Sequence, residues 1–142
     1  MSKRRPEYQP ESFRARQAGT LPGTLGITVD AIADGSIDLS MAVEPRHLAP
    51  NGFLHAASVV ALADTAAGYG CMAHLPDGAS GFTTIELKSN FLGTALEGRI
   101  VAHATLVHGG RSTQLWDATV TDSKGEIIAL FRCTQMVLWP RA

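Results

Sequence analysis

Residues Ala56 to Ala73 read AASVVALADTAAGYGCMA, and the run is small or apolar on every side. A helix that is apolar all round belongs in an interior, not on a surface. So many alanines and glycines also let other backbones come close, as a sheet wrapped around the helix or a partner helix beside it would require. One ionisable group sits in the run, Asp64. Burying a carboxylate without a partner raises its pKa and is costly, so the position needs a reason. Two remain open at this point: a structural hydrogen bond to neighbouring backbone, or a catalytic carboxylate in a water-poor cleft, acting as nucleophile or general base.

The rest of the chain limits what such a helix can serve. At 142 residues the length suits one domain with a sizeable core. Residues 1–20 read as an N-terminal tail or short helix, and 21–142 as the domain. A net charge of −1 gives no global field toward nucleic acid or a phospholipid surface. The basic run Lys3-Arg4-Arg5 is expected to be solvated, and the polar stretch after it lacks the apolar core of a targeting segment. Apart from the Asp-bearing helix, no run approaches membrane-spanning length. Cys71 and Cys133 stand in apolar surroundings without CxxC spacing, as small core residues of a reducing compartment do. The expected setting is the cytoplasm.

Two extended segments precede the helix, Leu25 to Ile32 and Ser36 to Val43, with Ala33-Asp34-Gly35 as the turn between them. Four follow it: Phe82 to Phe91, Gly98 to His108, Ser112 to Asp122 and Glu126 to Trp139. In the first of these Ile85, Leu87 and Phe91 alternate with Thr84, Glu86, Lys88 and Asn90, a period of two. Asp122-Ser-Lys-Gly125 reads as a hairpin turn, and Gly109-Gly110 as a turn with a glycine bulge. A short helix over Glu11 to Ala18 suits Pro10 in its first turn. Consecutive strands joined by short turns favour an antiparallel sheet, and one sheet curled around one long helix is an α+β fold.

This order, with the residues at the helix start, resembles the hotdog fold, and within it the PaaI-type acyl-CoA thioesterases, relatives of 4-hydroxybenzoyl-CoA thioesterase. The resemblance rests on His47-Leu-Ala-Pro-Asn-Gly52-Phe-Leu-His55-Ala-Ala and on Leu62-Ala-Asp64-Thr-Ala-Ala-Gly68. Thr84-Ile-Glu-Leu-Lys88-Ser-Asn-Phe91, Gly98-Arg99-Ile100 and Gly110-Arg111 support it, so that it spans about Leu21 to Leu138. It implies that Asp64 is the catalytic carboxylate and that the Ala56 N–H polarises the thioester carbonyl. The first N–H groups of a helix lack internal partners and carry the positive end of its dipole, which suits an oxyanion. Thr84 would hold the attacking water or orient Asp64. The turn Gly110, Arg111 and Ser112 would meet the nucleotide or pantetheine part of coenzyme A, with Lys88 and Asn90 as candidates to extend that patch. The substrate is then an acyl-CoA, aryl or medium-chain, and no cofactor or metal is required.

The chain departs from the family pattern twice. Ala49 stands where Asn is usual, with Asn51 on the Asn51-Gly52 turn as a candidate substitute, and Ala56-Ala57 stands where Gly-Gly is usual. Geometry adds a demand of its own. Ala56 and Asp64 lie eight residues apart, about 12 Å along one helix, so a single carbonyl meets both only across two antiparallel helices. That requires a dimer, which the resemblance places within a tetramer.

Other candidates are weaker. His55, just before the helix, is a candidate ligand or base, but it reads first as satisfying a backbone group, and its active role would be to line the site or hold the Asn51-Gly52 turn. Ser58, His55 and Asp64 share no helix face and no nucleophile elbow, so a triad fails. Cys71 near His74 is an inert thiol in an apolar run. The histidines show no metal-ligand spacing. Trp116 and Trp139 read as packing residues. Two non-hydrolytic readings stay open: an acyl-CoA binder without turnover, and an enoyl-CoA hydratase or dehydratase. Against the latter, Pro50 stands five residues before His55, where that class carries Asp.

Overall fold

The computed structural model describes residues 3–142. Two short helices come first, α1 (Pro10–Gln17) and α2 (Leu21–Thr24), followed by strands β1 (Thr28–Ala33) and β2 (Ser36–Ala42). A single 3-10 turn, Pro45–His47, leads to the long helix α3 (Ala56–Ala73). Strands β3 (Gly81–Phe91), β4 (Arg99–Gly109), β5 (Thr113–Thr121) and β6 (Ile127–Leu138) complete the domain. All six strands form one sheet in the order β1-β2-β4-β5-β6-β3, and every neighbouring pair is antiparallel. This is the expected hotdog arrangement, with the sheet wrapped around α3.

The helix touches every strand from β2 to β6, and at Gly70 it leaves no room for a side chain. A Cβ added at Gly70 would stand 2.7 Å from the Trp116 ring, which is fully buried on β5. Around this contact pack Leu62, Ala63, Ala66 and Ala67 of the helix with Leu39, Met41, Ile100 and Val120 of the sheet, all without solvent exposure. Although α3 is long and apolar enough to cross a membrane by composition, most of it is buried in the sheet. One stripe is not covered: Val60, Ala61, Asp64, Thr65, Tyr69 and Met72 are only half-buried. The all-round apolarity therefore has two causes, a face against the chain's own sheet and a face left open.

Several local expectations change. The segment beginning at Leu25 is not strand until Thr28, because Pro22 starts a one-turn helix and Gly26 turns the chain at φ 75°. The basic run is not wholly solvated. Arg5 donates through Nε to the Leu75 carbonyl (3.1 Å) and through Nη2 to that of Pro76 (2.7 Å), while its backbone N–H meets Ala73 O at 2.7 Å. A cation is well placed there, at the negative end of the α3 dipole. The bulge between β4 and β5 falls at Leu106/His108, and neither Gly109 nor Gly110 has a positive φ, so this turn needs no glycine bulge. Asp122-Ser-Lys-Gly125 is the hairpin turn expected, with Gly125 at φ 82° and Asp122 Oδ1 accepting from Lys124 N and Glu126 N.

Strand β3 shows the alternation but not the burial it implies. Ile85, Leu87 and Phe91 are 55%, 40% and 47% exposed. The strand is the sheet's edge, its free side pairs with no strand among the described residues, and a bulge between Thr84 and Glu86 pushes Ile85 out of register.

Candidate active site

The approach to α3 is built before the helix begins. His47 is fully buried and both ring nitrogens are used: Nδ1 accepts from Glu44 N at 3.0 Å, and Nε2 donates to Leu25 O at 2.9 Å. Its own carbonyl accepts from His55 N (3.0 Å) and from Ser58 Oγ (2.8 Å). Ser58 is thus a buried structural hydroxyl, not a nucleophile. Between them the loop closes through a Leu48–Leu54 bridge, with Gly52 at φ 89° and Asn51 Oδ1 accepting from Phe53 N at 3.1 Å. Asn51 and Gly52 shape this turn.

His55 then caps the helix. Its Nδ1 accepts from Ala57 N at 2.9 Å, and its carbonyl accepts from Ser58 N at 2.9 Å. The Ala56 N–H, between these bonded groups, has no acceptor among the described residues, and Ala56 is exposed. A free donor at the positive end of an 18-residue helix is a ready anion site.

Two turns on, Asp64 faces a cavity of about 380 Å³ lined chiefly by apolar and aromatic groups, among them Phe13, Tyr69, Met72 and Phe82. Its Oδ1 is buried without a hydrogen-bond partner, and burial pushes its pKa up from the ordinary carboxylate value. Among the described residues no backbone group satisfies it, which speaks against the structural-hydrogen-bond reading of that oxygen. Thr84, on β3, lines the same cavity. Gly68 leaves room at its wall, since a Cβ there would lie 3.2 Å from the Phe82 ring.

The other expected residues fall into separate places. Lys88 and Asn90 line a shallow pocket beside the Asp117–Arg132 ion pair. Gly110 and Arg111 line another with His74, Asp77 and Trp139, where the Arg111 guanidinium lies 4.4 Å from the Trp139 ring centroid. Ser112 O accepts from Val137 N, whereas Lys88 pairs with Arg132, five residues away along β6. That is roughly 17 Å at strand spacing. Lys88 and Asn90 therefore do not extend the Arg111 patch within one chain, because β3 joins β6 at its other end.

Sequence reasoning missed the contribution of α1 and α2 to the cavity through Phe13, Arg16, Gln17, Thr20 and Pro22. Tyr69 and Met72 were legible in principle, lying five and eight residues after Asp64 on the open stripe. His74 was read only as a partner for Cys71. It is structural: Nδ1 donates to Gly70 O, Nε2 accepts from Gly35 N, both at 2.8 Å, and burial lowers its pKa. Burial pushes the Cys71 and Cys133 thiols up to about 12, so neither is a nucleophile.

A cavity carboxylate and a free helix-start N–H on a hotdog domain are groups that could serve acyl transfer. The thioesterase superfamily model matches residues 51–129. The chain is 30% identical over 131 residues to the 1,4-dihydroxy-2-naphthoyl-CoA hydrolase of Escherichia coli (strain K12), covering 90% of this chain and 93% of that one. The crystal structure of a mutant thioesterase from Pseudomonas aeruginosa superposes with a TM-score of 0.91 at 29% identity, over 96% of this chain and 99% of the other. The Escherichia coli PaaI protein shares the fold, with a TM-score of 0.80 at 22% identity over 90% and 89% of the two chains. The chain belongs to the thioesterase superfamily and is a thioester hydrolase.

Proposed function

We propose that the protein hydrolyses an acyl-CoA thioester, aryl or medium-chain, to the free acid and coenzyme A at a site shared by two subunits. The observation that carries this reading is Asp64, a carboxylate with an unpartnered buried oxygen at the wall of a largely apolar cavity. An ion held that way gains little from its surroundings and is correspondingly reactive toward a substrate that displaces water. Asp64 removes a proton from the attacking water, or attacks the carbonyl directly to form an acyl anhydride that water then hydrolyses to the free acid and the regenerated carboxylate. The Ala56 N–H of the partner subunit receives the oxyanion, and collapse of the tetrahedral species expels the thiolate of coenzyme A, which needs no general acid. Thr84 orients the water or Asp64. His55, Asn51 and Gly52 hold the loop that presents the N–H, and the Gly110-Arg111-Ser112 turn takes the nucleotide portion.

Two features support the shared site. Asp64 lies on the open stripe of α3, about 12 Å from its own Ala56. The free edge of β3 carries exposed Ile85, Leu87 and Phe91, so pairing with β3 of a second copy would cover the edge and set the two helices side by side. Dimers of this kind associate further into a tetramer. The aromatic lining, together with the naphthoyl-CoA substrate of the Escherichia coli relative, favours an aryl acyl group. The setting is the cytoplasm, where two buried free thiols stay reduced.

The test is release of free thiol from a panel of aryl- and fatty-acyl-CoAs by the wild type beside Asp64→Asn. The reading expects turnover with at least one acyl class and a loss of roughly a hundredfold or more in the variant. Equal turnover in both proteins would make Asp64 structural and overturn the mechanism.

A further inference from the structure

The wall of the Asp64 cavity formed by the N-terminal helices carries an exposed arginine, Arg16, that makes no ion pair among the described residues. Phe13 stacks on Tyr69 with ring centroids 4.4 Å apart, and the Tyr69 hydroxyl donates to Gln17 Oε1 at 3.0 Å. Gln17 Nε2 donates in turn to the Ile27 carbonyl at 2.6 Å, so both ends of that amide are engaged in holding α1 to the domain. Arg16 lines the same cavity and lies 5.6 Å from the Tyr8 ring centroid, yet among the described residues its guanidinium donates no hydrogen bond and meets no carboxylate. Its ring partner Tyr8 stacks on Phe13 at 5.4 Å, which joins Arg16 to the Tyr69 end of the cavity. Tyr69 follows Asp64 by five residues, about 7.5 Å along the helix axis. The cavity is thus lined by a carboxylate, by the aromatic rings of Phe13, Tyr69 and Phe82, and by the exposed Arg16, whose guanidinium has no carboxylate partner among the described residues.

We propose that Arg16 is a specificity residue, and that the preferred acyl group has an aromatic body with a carboxylate at the end remote from the thioester. The inference rests on the hydrolysis reading and deepens it. With the reacting carbonyl at Asp64, an aromatic acyl group would lie against Tyr69, Phe13 and Phe82 and present its distal substituent to the α1 wall, where Arg16 lines the cavity. A guanidinium at the mouth of an apolar cavity recognises a planar anion through paired N–H donors, and it gains strength as the ligand excludes water. A carboxylate at the Asp64 end would instead be repelled, which fixes the direction of binding.

The phosphates of coenzyme A are the other anions that Arg16 could meet, and the experiment separates the two. kcat/KM is measured for benzoyl-CoA and 4-carboxybenzoyl-CoA with the wild type, Arg16→Gln and Arg16→Glu. The expected result is a wild-type preference for the carboxylated substrate that falls by about three- to tenfold in Arg16→Gln and further in Arg16→Glu. An equal loss on both substrates would assign Arg16 to coenzyme A and overturn the proposal, as would no wild-type preference. If neither thioester turns over, calorimetric binding of the two acyl-CoAs decides this proposal, while the hydrolysis reading is decided separately by the wider acyl-CoA panel. Tighter carboxylated binding that Arg16→Gln abolishes supports it, and equal binding overturns it.

Discussion

Asp64 pairs low stability with reactivity. Burial raises its pKa with no compensating partner for Oδ1, so the folded protein binds its proton more tightly than the unfolded chain does. The sign follows from linkage: stability from this group is present below the unfolded pKa and lost as pH rises through the folded value. Asp64 therefore contributes less to stability at neutral pH than in acid. Asp64→Asn is expected to have a melting temperature equal to or above that of the wild type at pH 7, even as turnover collapses, and thermal unfolding beside the thiol assay checks both. The same shift sets the rate profile. Activity depends on the carboxylate form, so kcat/KM is expected to fall on acidification with a midpoint above the ordinary Asp value of about 3.9. A midpoint at or below that value would contradict the buried, unpartnered state.

At the scale of elements, α3 is fixed by one contact and one clamp. Gly70 is usually a weak choice inside a helix, where Ala is better by up to about 1 kcal/mol. Here the methyl group would lie 2.7 Å from the Trp116 ring, with the indole fully buried and its Nε1 donating to Gln114 Oε1. Overpacking then wins over propensity, and Gly70→Ala is expected to destabilise by about 1–3 kcal/mol in denaturant unfolding. The clamp is His74, whose ring joins the end of α3 to the turn between β1 and β2. Its lowered pKa means the unfolded chain takes up the proton first, so its contribution is present above about pH 6.5 and declines as pH falls below that. Removing the ring with His74→Phe should flatten that part of the stability–pH curve, measured by urea midpoints between pH 7 and pH 5.

Much at this scale was legible in the sequence. The helix ends at Ala56 and Ala73 because a polar, Pro- and Gly-bearing approach meets an unbroken small-residue run, and the later strands declared themselves by alternation. Two other facts were not. Strand order depends on which edges meet after folding, and β3 lies beside β6 at the far edge although it precedes β4 in the chain. Local pattern contains no record of that choice. The α1 wall was hidden because its sequence, PESFRARQ, is polar with a lone Phe13, and only tertiary contact turns Phe13 and Arg16 toward the cavity.

At the scale of the molecule, a single chain keeps its proposed catalytic groups apart and leaves the means of joining them exposed. The half-buried stripe of α3 and the free edge of β3 lie together, and both contain apolar side chains that water disfavours. Placing a charge on the edge tests whether this surface matters. Leu87→Glu is expected to shift the protein toward monomer in sedimentation and to reduce activity in proportion to the dimer lost, while the helical circular dichroism stays near wild type.

The shared site itself is tested most directly by complementation. Ala56→Pro deletes the proposed oxyanion N–H at the first helical position, where proline is tolerated, and His55 already has the extended backbone (φ −66°, ψ 132°) that a following proline needs. Asp64→Asn deletes the carboxylate. Each homodimer should be nearly inactive alone. Unfolded together in equal amounts and refolded, half of the dimers are mixed and each has one intact site, so activity should return to about a quarter of wild type. A mixture no more active than its parents would mean that Ala56 and Asp64 do not act across two subunits.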